Sequence, residues 1–261
     1  MLIELKNVSV SLLKKPILND INLKISPEKF TMLLGLNGTG KSTLLKSITG
    51  FIPLESGEIL FDNKQADKIS ARQRSQLISY IPQISDTNIK CTVLDFVLMG
   101  ANPYLSFLEN PSKEHIRQAE QALSDFGINE LENKSLDCIS GGERQLCYLA
   151  RSQLQNADFM VLDEPVASLD YKRQHIFLDR LYKYIKKNNK SAIMSVHNPN
   201  HALMFAHEVI VLNNKTVQAV IKRSEDNFEE KLYNELKDIY GEQFKLIKNE
   251  DNYFFFWEGM K

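Results

Sequence analysis

The sequence predicts an α/β fold with a parallel core, and three observations carry that reading. Residues 30–34 (FTMLL) form a continuous apolar run suited to a buried strand, followed directly by a Gly-rich loop and a helical stretch. Residues 159–164 (FMVLDE) form a second apolar run that ends on two carboxylates. From residue 158 to 212, strand patterns alternate with helical ones, as in the βα units of a parallel sheet.

Taken in order, residues 1 to about 85 contain short strands around the Gly-rich loop and a strand at 78–81 (ISYI). From about 86 to 157 helical patterns dominate, with helices expected at 92–99 and 112–126. The alternating block carries a strand at 191–196 (SAIMSV) and helices at 171–187 and 200–206. Its first helix ends in the lysine-rich segment 183–190, a solvated end that complements the helix dipole. The tail, 213–261, predicts a strand at 216–220, a helix at 225–240 and two terminal strands. Its aromatic run at 253–257 (YFFFW) is expected to be a strand buried on both faces. This gives one domain over 1–212, with a mainly helical subdomain at 86–157, and a small α/β extension at 213–261.

The Gly-rich loop carries the first chemistry. Residues 35–43 (GLNGTGKST) satisfy the G-x-x-x-x-G-K-[ST] pattern through Gly35, Gly40, Lys41 and Ser42. Gly38 and Gly40 let the backbone approach phosphates closely, and successive N–H groups at the helix start form a positive cradle. Lys41 supplies a charge for the β- and γ-phosphates, and the Ser42 hydroxyl suits Mg²⁺, a hard ion that takes oxygen ligands. Gly35, Asn37, Gly38, Gly40, Lys41, Ser42 and Thr43 are therefore the candidate nucleotide-binding residues.

The apolar run at 159–162 delivers Asp163 and Glu164 to the C-terminal edge of a strand, where ligands bind in open α/β sheets. Adjacent residues on a strand point to opposite sides, so the two carboxylates can hold different jobs. Asp163 is expected to hold Mg²⁺, directly or through water. Glu164 is expected to accept a proton from the water attacking the γ-phosphate, a role worth about 10²- to 10⁴-fold in rate.

Between these elements lies ISGGERQ, residues 139–145. Ser140 and Glu143 have the spacing of a capping box, and a helix would continue through Leu146, Leu149, Ala150 and Leu154 on one face. Gly141 and Gly142 expose backbone N–H groups at that helix start. The segment is thus a well-started helix, a phosphate site, or both.

With SGGER followed about twenty residues later by the hydrophobic-DE strand, the chain resembles the nucleotide-binding subunits of ABC transporters. The resemblance implies an ABC ATPase core of the phosphate-loop NTPase type, with an antiparallel β subdomain and a helical signature subdomain. It implies ATP and Mg²⁺ as cofactors, with Glu164, His197 and Lys41 as catalytic residues and Ser42, Gln83 and Asp163 as metal ligands. Gln83 matches the loop glutamine that senses Mg²⁺ and faces transmembrane permease subunits, and His197 matches the switch histidine that contacts the γ-phosphate. Ser140, Gly141, Gly142 and Asp170 match residues that act across a head-to-tail dimer, on ATP held by the second copy. Such a subunit sits peripherally at the cytoplasmic face of the membrane and serves a substrate-binding protein only indirectly.

Residues 92–106 (TVLDFVLMGANPYLS), Pro111-Ser112-Lys113 and the segment 197–203 (HNPNHAL) are similar to ATPases of the bacterial importer group for iron-siderophores, haem and cobalamin. Some members of that group handle molybdate, and zinc and manganese importers share the VLMG segment. Nothing in such subunits touches cargo. A soluble ABC-type ATPase of DNA repair or translation would use the same motor. Gln83 and Ser140, however, lie too close in sequence to hold a long coiled coil. A non-catalytic nucleotide-binding regulator is disfavoured because Lys41, Asp163, Glu164 and His197 are all present. His201 is expected on a helix surface, since no second His or carboxylate is spaced with it as a metal site requires.

Composition agrees with this assignment. A chain of 261 residues can bury a substantial core, and a formal net charge of −1 gives no global attraction to nucleic acid. No 18-residue apolar run occurs, and the start (MLIELKNVSV) does not resemble a signal peptide, so neither a membrane span nor a leader is expected. Cys91, Cys138 and Cys147 have neither metal-site spacing nor an even count, and are read as reduced thiols. A single phosphate loop and no internal repeat mean a single cassette.

One position departs from the family pattern. Near Leu12, where most members place an aromatic residue that stacks on adenine, the chain reads Val10-Ser11-Leu12-Leu13. Stacking is worth about 1–3 kcal/mol in nucleic-acid systems, whereas Leu supplies only apolar contact. Adenine is accordingly expected to be held more loosely, or another residue compensates. Leu12→Tyr should tighten ATP binding and sharpen its preference over GTP in nucleotide titrations; strong selectivity that is identical in both proteins would exclude this.

Overall fold

The computed structural model describes residues 1–83, 89–250 and 252–259. The chain opens on two long strands, β1 (Ile3–Leu12) and β2 (Lys15–Ile25), joined by a two-residue turn. Leu13 and Lys14 hold left-handed backbone at φ 49° and 63°. That is the twist a tight hairpin between right-twisted strands demands. β3 (Phe30–Leu34) is buried at every residue and leads through the glycine loop into α1 (Lys41–Ile48). β4 (Ser56–Phe61), β5 (Lys64–Gln65), α2 (Ala71–Leu77) and β6 (Ile78–Ile81) follow.

The helical stretch contains α3 (Val93–Leu98), α4 (Lys113–Asp125) and α5 (Gly141–Gln155). Next come β7 (Phe159–Leu162), α6 (Tyr171–Lys187), β8 (Ser191–Ser195), α7 (Pro199–Phe205) and β9 (Glu208–Asn213) in strict alternation. The tail adds β10 (Thr216–Lys222), α8 (Phe228–Tyr240), β11 (Phe244–Asn249) and β12 (Asn252–Trp257). No helix among the described residues is long and apolar enough to cross a membrane.

Two compact units result, residues 1–68 with 191–261, and residues 69–190. The boundary expected near 85 and 86 lies outside the described residues.

In the first unit, an antiparallel sheet runs in the order β2-β1-β4-β5, and a second set of strands in the order β10-β9-β3-β8. β3 pairs in parallel with both β8 and β9, which explains why it is apolar throughout instead of alternating. Gly57, at φ 82°, lets β4 cross beside the irregular part of β1, where a Cβ would overlap the carbonyl oxygens of Lys6 and Asn7.

Two expectations for this unit are corrected. Among the described residues β12 pairs only with β11, in a two-stranded hairpin, and is not buried on both faces. Phe255 is 5 % exposed and stacks on Phe244 at 4.9 Å, whereas Phe254, Phe256 and Trp257 keep 43 %, 43 % and 55 % of their surface in solvent. A hairpin with one packed face buries alternate residues at most. His201 is also not on a helix surface, being 2 % exposed. Beside it, the Asn200 carboxamide donates to the Phe255 carbonyl at 3.0 Å and accepts from the Phe255 N–H at 2.8 Å, clamping β12 onto α7.

In the second unit, β6 and β7 run in parallel, and the Asp163 N–H extends the pairing by donating to the Ile81 carbonyl at 2.9 Å. α5 forms the core of the helical part and buries Cys147, Tyr148, Leu149 and Ala150. Its Arg151 guanidinium carbon lies 4.8 Å from the ring centres of both Phe96 and Tyr148, which meet each other edge to face at 4.8 Å. Burial depresses the Arg151 pKa. At Gly100 any side chain would strike the Arg151 carbonyl, so the turn after α3 approaches α5 only because that residue lacks a Cβ.

Candidate functional site

The phosphate loop is preformed in the first unit. Gly38 and Gly40 hold left-handed backbone at φ 79° and 102°, and α1 starts from Gly40 with no side-chain cap. Its first N–H groups therefore point into the loop without a protein oxygen from a capping side chain. A Cβ on Gly38 would meet nothing, whereas one on Gly40 would sit 2.7 Å from Leu18 Cδ2 and one on Gly35 would overlap the Leu212 carbonyl. The loop is thus pressed against β2 and β9 on one side and open at Gly38. Lys41 is 4 % exposed, and its ammonium donates to the carbonyls of Gly35 at 2.8 Å and Leu36 at 3.0 Å. Those carbonyls stand where phosphate oxygens would compete for the same protons. Asn37 is exposed, Ser42 half-buried and Thr43 buried.

Also in this unit, β8 ends at Ser195, and His197 is exposed between that end and Asn198. Asn198 caps α7 by accepting from the Asn200 N–H at 3.0 Å. His197 thus occupies the turn from a buried parallel strand into a capped helix. Leu12 is 40 % exposed and Leu13 97 % exposed at the β1–β2 turn.

The second unit carries the carboxylates. Their expected placement on opposite sides of a strand is corrected, because β7 stops at Leu162. Asp163 is 2 % exposed and accepts from the Tyr80 hydroxyl at 3.3 Å. Burial, then the Asp163 charge, pushes the Tyr80 phenol far above its usual range, so this hydroxyl stays a proton donor. Glu164 separates from Asp163 by a left-handed residue, φ 47°, instead of by strand alternation. Such backbone is uncommon for a non-glycine side chain. Half-buried, Glu164 accepts from the Gln83 carboxamide at 3.1 Å, and the tight turn after it holds Leu169 and leads to Asp170. Asp170 then caps α6, accepting from the Arg173 N–H at 2.9 Å.

Ser140 starts α5 as the spacing predicts. Its hydroxyl accepts from the Glu143 N–H at 3.3 Å, and the Glu143 carboxylate accepts from the Ser140 N–H at 2.7 Å. Hydrogen bonding of its carboxylate to the Ser140 hydroxyl, and then to the Ser140 N–H, holds the Glu143 pKa below the usual carboxylate range. Gly141 is open to solvent, with nothing near where a Cβ would stand, and Gly142 is buried. The structure thus brings Gln83 to Glu164, and Asp170 to the start of α6, within one unit.

A protein-family model described as "ABC transporter" matches residues 18–167, more than half of the chain. The chain belongs to the ABC transporter family. Among its relatives, a probable iron chelatin transport ATP-binding protein of Helicobacter pylori is 36% identical over 216 residues, covering 82% of this chain and 85% of the relative. A manganese transport system ATP-binding protein of Bacillus subtilis is 34% identical over 213 residues, covering 81% and 83%. A solved structure described as an inward-facing conformation of a putative metal-chelate type ABC transporter aligns with TM-score 0.80 at 23% identity, over 97% of this chain and 95% of that one. The fold is therefore that of the ABC ATPases.

Sequence reasoning about this ABC transporter chain missed two residues near the motifs. Tyr80 lies in the short strand beside β7, and the parallel register of the two strands was the signal that could have placed its hydroxyl near Asp163. Arg173, three residues beyond Asp170, lies against Gly142, and helix periodicity from the cap pointed to it.

The reciprocal cap makes a measurable prediction. Ser140→Ala should lower stability by about 1 kcal/mol in urea titrations. Glu143 has a depressed folded pKa, so its contribution is present above the ordinary carboxylate pKa and is lost as pH falls through the folded value. Glu143→Gln should accordingly be less stable than wild type at pH 7 and indistinguishable from it in acid below both values.

Proposed function

We propose that this chain is the ATP-hydrolysing subunit that powers import of a metal chelate, of the iron-siderophore, haem or cobalamin type, through a membrane permease. One observation supports the nucleotide chemistry above all. α1 starts on a left-handed glycine with no side-chain cap, beside a buried lysine that already donates to loop oxygens. Residues 35–43 then receive the triphosphate, with Gly35, Asn37, Gly38, Gly40, Lys41, Ser42 and Thr43 in contact. The Ser42 hydroxyl, the Gln83 carboxamide and the Asp163 carboxylate are oxygen donors of the kind Mg²⁺ takes, and the buried, Tyr80-bonded Asp163 is held ready for that role. Bound Mg²⁺ would neutralise charge on the β- and γ-phosphates.

Glu164 takes the proton of the attacking water. Its Gln83 bond occupies one carboxylate oxygen in this state, so Gln83 must release it, or share it, before the base can work. His197, exposed after β8, contacts the γ-phosphate and orients the catalytic groups. Ser140, Gly141, Gly142 and Asp170 act on ATP held by a second copy in a head-to-tail dimer. Catalysis is then mainly positioning and electrostatics, so dimer closure gates it. Closure moves the permease through the Gln83 region, with the chain peripheral at the cytoplasmic face of the membrane and a substrate-binding protein engaged only by the permease. Residues 1–212 form the ATPase domain and 213–261 its extension.

A second cargo reading, manganese or zinc, is favoured by the manganese relative, whose identity to this chain is close to that of the iron chelatin relative. Uptake separates the two. A strain lacking this chain should lose transport of a ⁵⁵Fe-labelled chelate and keep Mn²⁺ uptake; the reverse result overturns the chelate reading.

The enzyme reading has its own test. Glu164→Gln should keep ATP affinity, lose about 10²- to 10⁴-fold in hydrolysis and accumulate an ATP-bound dimer. Introducing Ser140→Arg should spare monomer ATP binding and abolish that dimer. Wild-type turnover by the first variant removes Glu164 as base, and an ATP-dependent dimer in the second removes the site across the interface.

A further inference from the structure

We infer that Arg173 is the cationic member of the phosphate site at the start of α5, offsetting the Glu143 carboxylate so that the γ-phosphate held by a second copy can dock there. The inference rests on the proposed role of Ser140 and Gly142. Geometry supplies the first argument. The Arg173 stem runs along Gly142, where a Cβ would stand 3.0 Å from Cδ and 3.6 Å from Nη1. Its Nε lies 3.4 Å from Asp170 Oδ2, so one guanidinium joins the loop that ends at Asp170 to the first turn of α5. A cavity of about 230 Å³, lined in part by Ser140, Gly142, Glu143 and Arg173, opens at this place. The Arg173 side chain keeps 53% of its surface in solvent, so it is reachable by an incoming ligand.

Charge supplies the second argument. The reciprocal cap fixes an ionised carboxylate on the Ser140 N–H, at the spot a phosphate must approach. Like charges there oppose docking, and the partial charge of one helix start is only about half an elementary charge. Two cations act on that carboxylate, Lys134 and Arg173, and of these Arg173 lines the cavity. Arg180, the other arginine lining the cavity, is committed to the Phe126 carbonyl. Arg173 has no comparable anchor on a backbone oxygen among the hydrogen bonds of the described residues, and its planar fork suits phosphate oxygens.

The test uses the full chain carrying Glu164→Gln, with ATP-dependent dimerisation followed by sedimentation at several NaCl concentrations. Arg173→Gln should leave monomer ATP affinity unchanged, raise the ATP concentration for half-dimerisation about tenfold, and flatten its salt dependence. Arg173→Lys should recover most of the loss, and adding Glu143→Gln to Arg173→Gln should recover it too, because the charge to be offset is gone. Dimerisation of Arg173→Gln at the original ATP concentration overturns the inference. So does an equal defect in the Gln and Lys variants that Glu143→Gln fails to relieve, which marks a merely structural strut. If Ser140→Arg also dimerises, the site across the interface falls as well; if Ser140→Arg blocks dimerisation and Arg173→Gln does not, only the role of Arg173 falls.

Discussion

An α-helix begins with backbone N–H groups that it cannot satisfy itself, and the treatment of those groups organises this molecule. α2, α3, α4, α5, α6 and α7 each receive a side-chain cap, from Ser70, Thr92, Ser112, Ser140, Asp170 and Asn198. α1 and α8 receive none, and of these α1 follows the wholly buried β3. Its start is a left-handed glycine, and Lys41 adds a charge within the same loop. α5 is the intermediate case. Ser140 closes one donor, Gly141 stays open to solvent while Gly142 is buried, and the cap itself introduces the carboxylate that any phosphate must tolerate.

Buried charge follows the same logic of local compensation. Lys41 is held by two carbonyls, Arg151 by two aromatic faces and Asp163 by a phenol that burial keeps protonated. The surface pairs that exist, such as Lys183 with Asp179 on α6, decorate solvated helix faces.

What was legible in the sequence is what local chemistry dictates. The Ser140–Glu143 cap, the bounds of α6 at Tyr171–Lys187 and the burial of β3 follow from residue types a few positions apart. The misread features depend on partners distant in sequence. His201 is buried in a helix whose Asn200 is clamped by a hairpin fifty-odd residues later, and YFFFW is half-exposed because the strand it pairs with among the described residues is β11. Glu164 turns away from Asp163 through backbone conformation, which apolar patterning does not encode. Within the site, the motif residues could be read, but the Tyr80 and Arg173 contacts needed the register of two parallel strands and the approach of two helices.

The paired hydrogen bonds between Asn200 and Phe255 impose an order of assembly. The first unit is discontinuous, so its β3 lacks both parallel neighbours until residues 191–213 are synthesised. Even then α7, the helix entered directly from His197, lacks its clamp to β12 until Phe255 emerges and supplies its backbone. On a ribosome adding about 5–20 residues each second, that interval is on the order of seconds, longer than a helix or hairpin needs to form. The clamp on the helix that follows His197 is consequently among the contacts of its unit that form late in synthesis, well after the Gly-rich loop has been made.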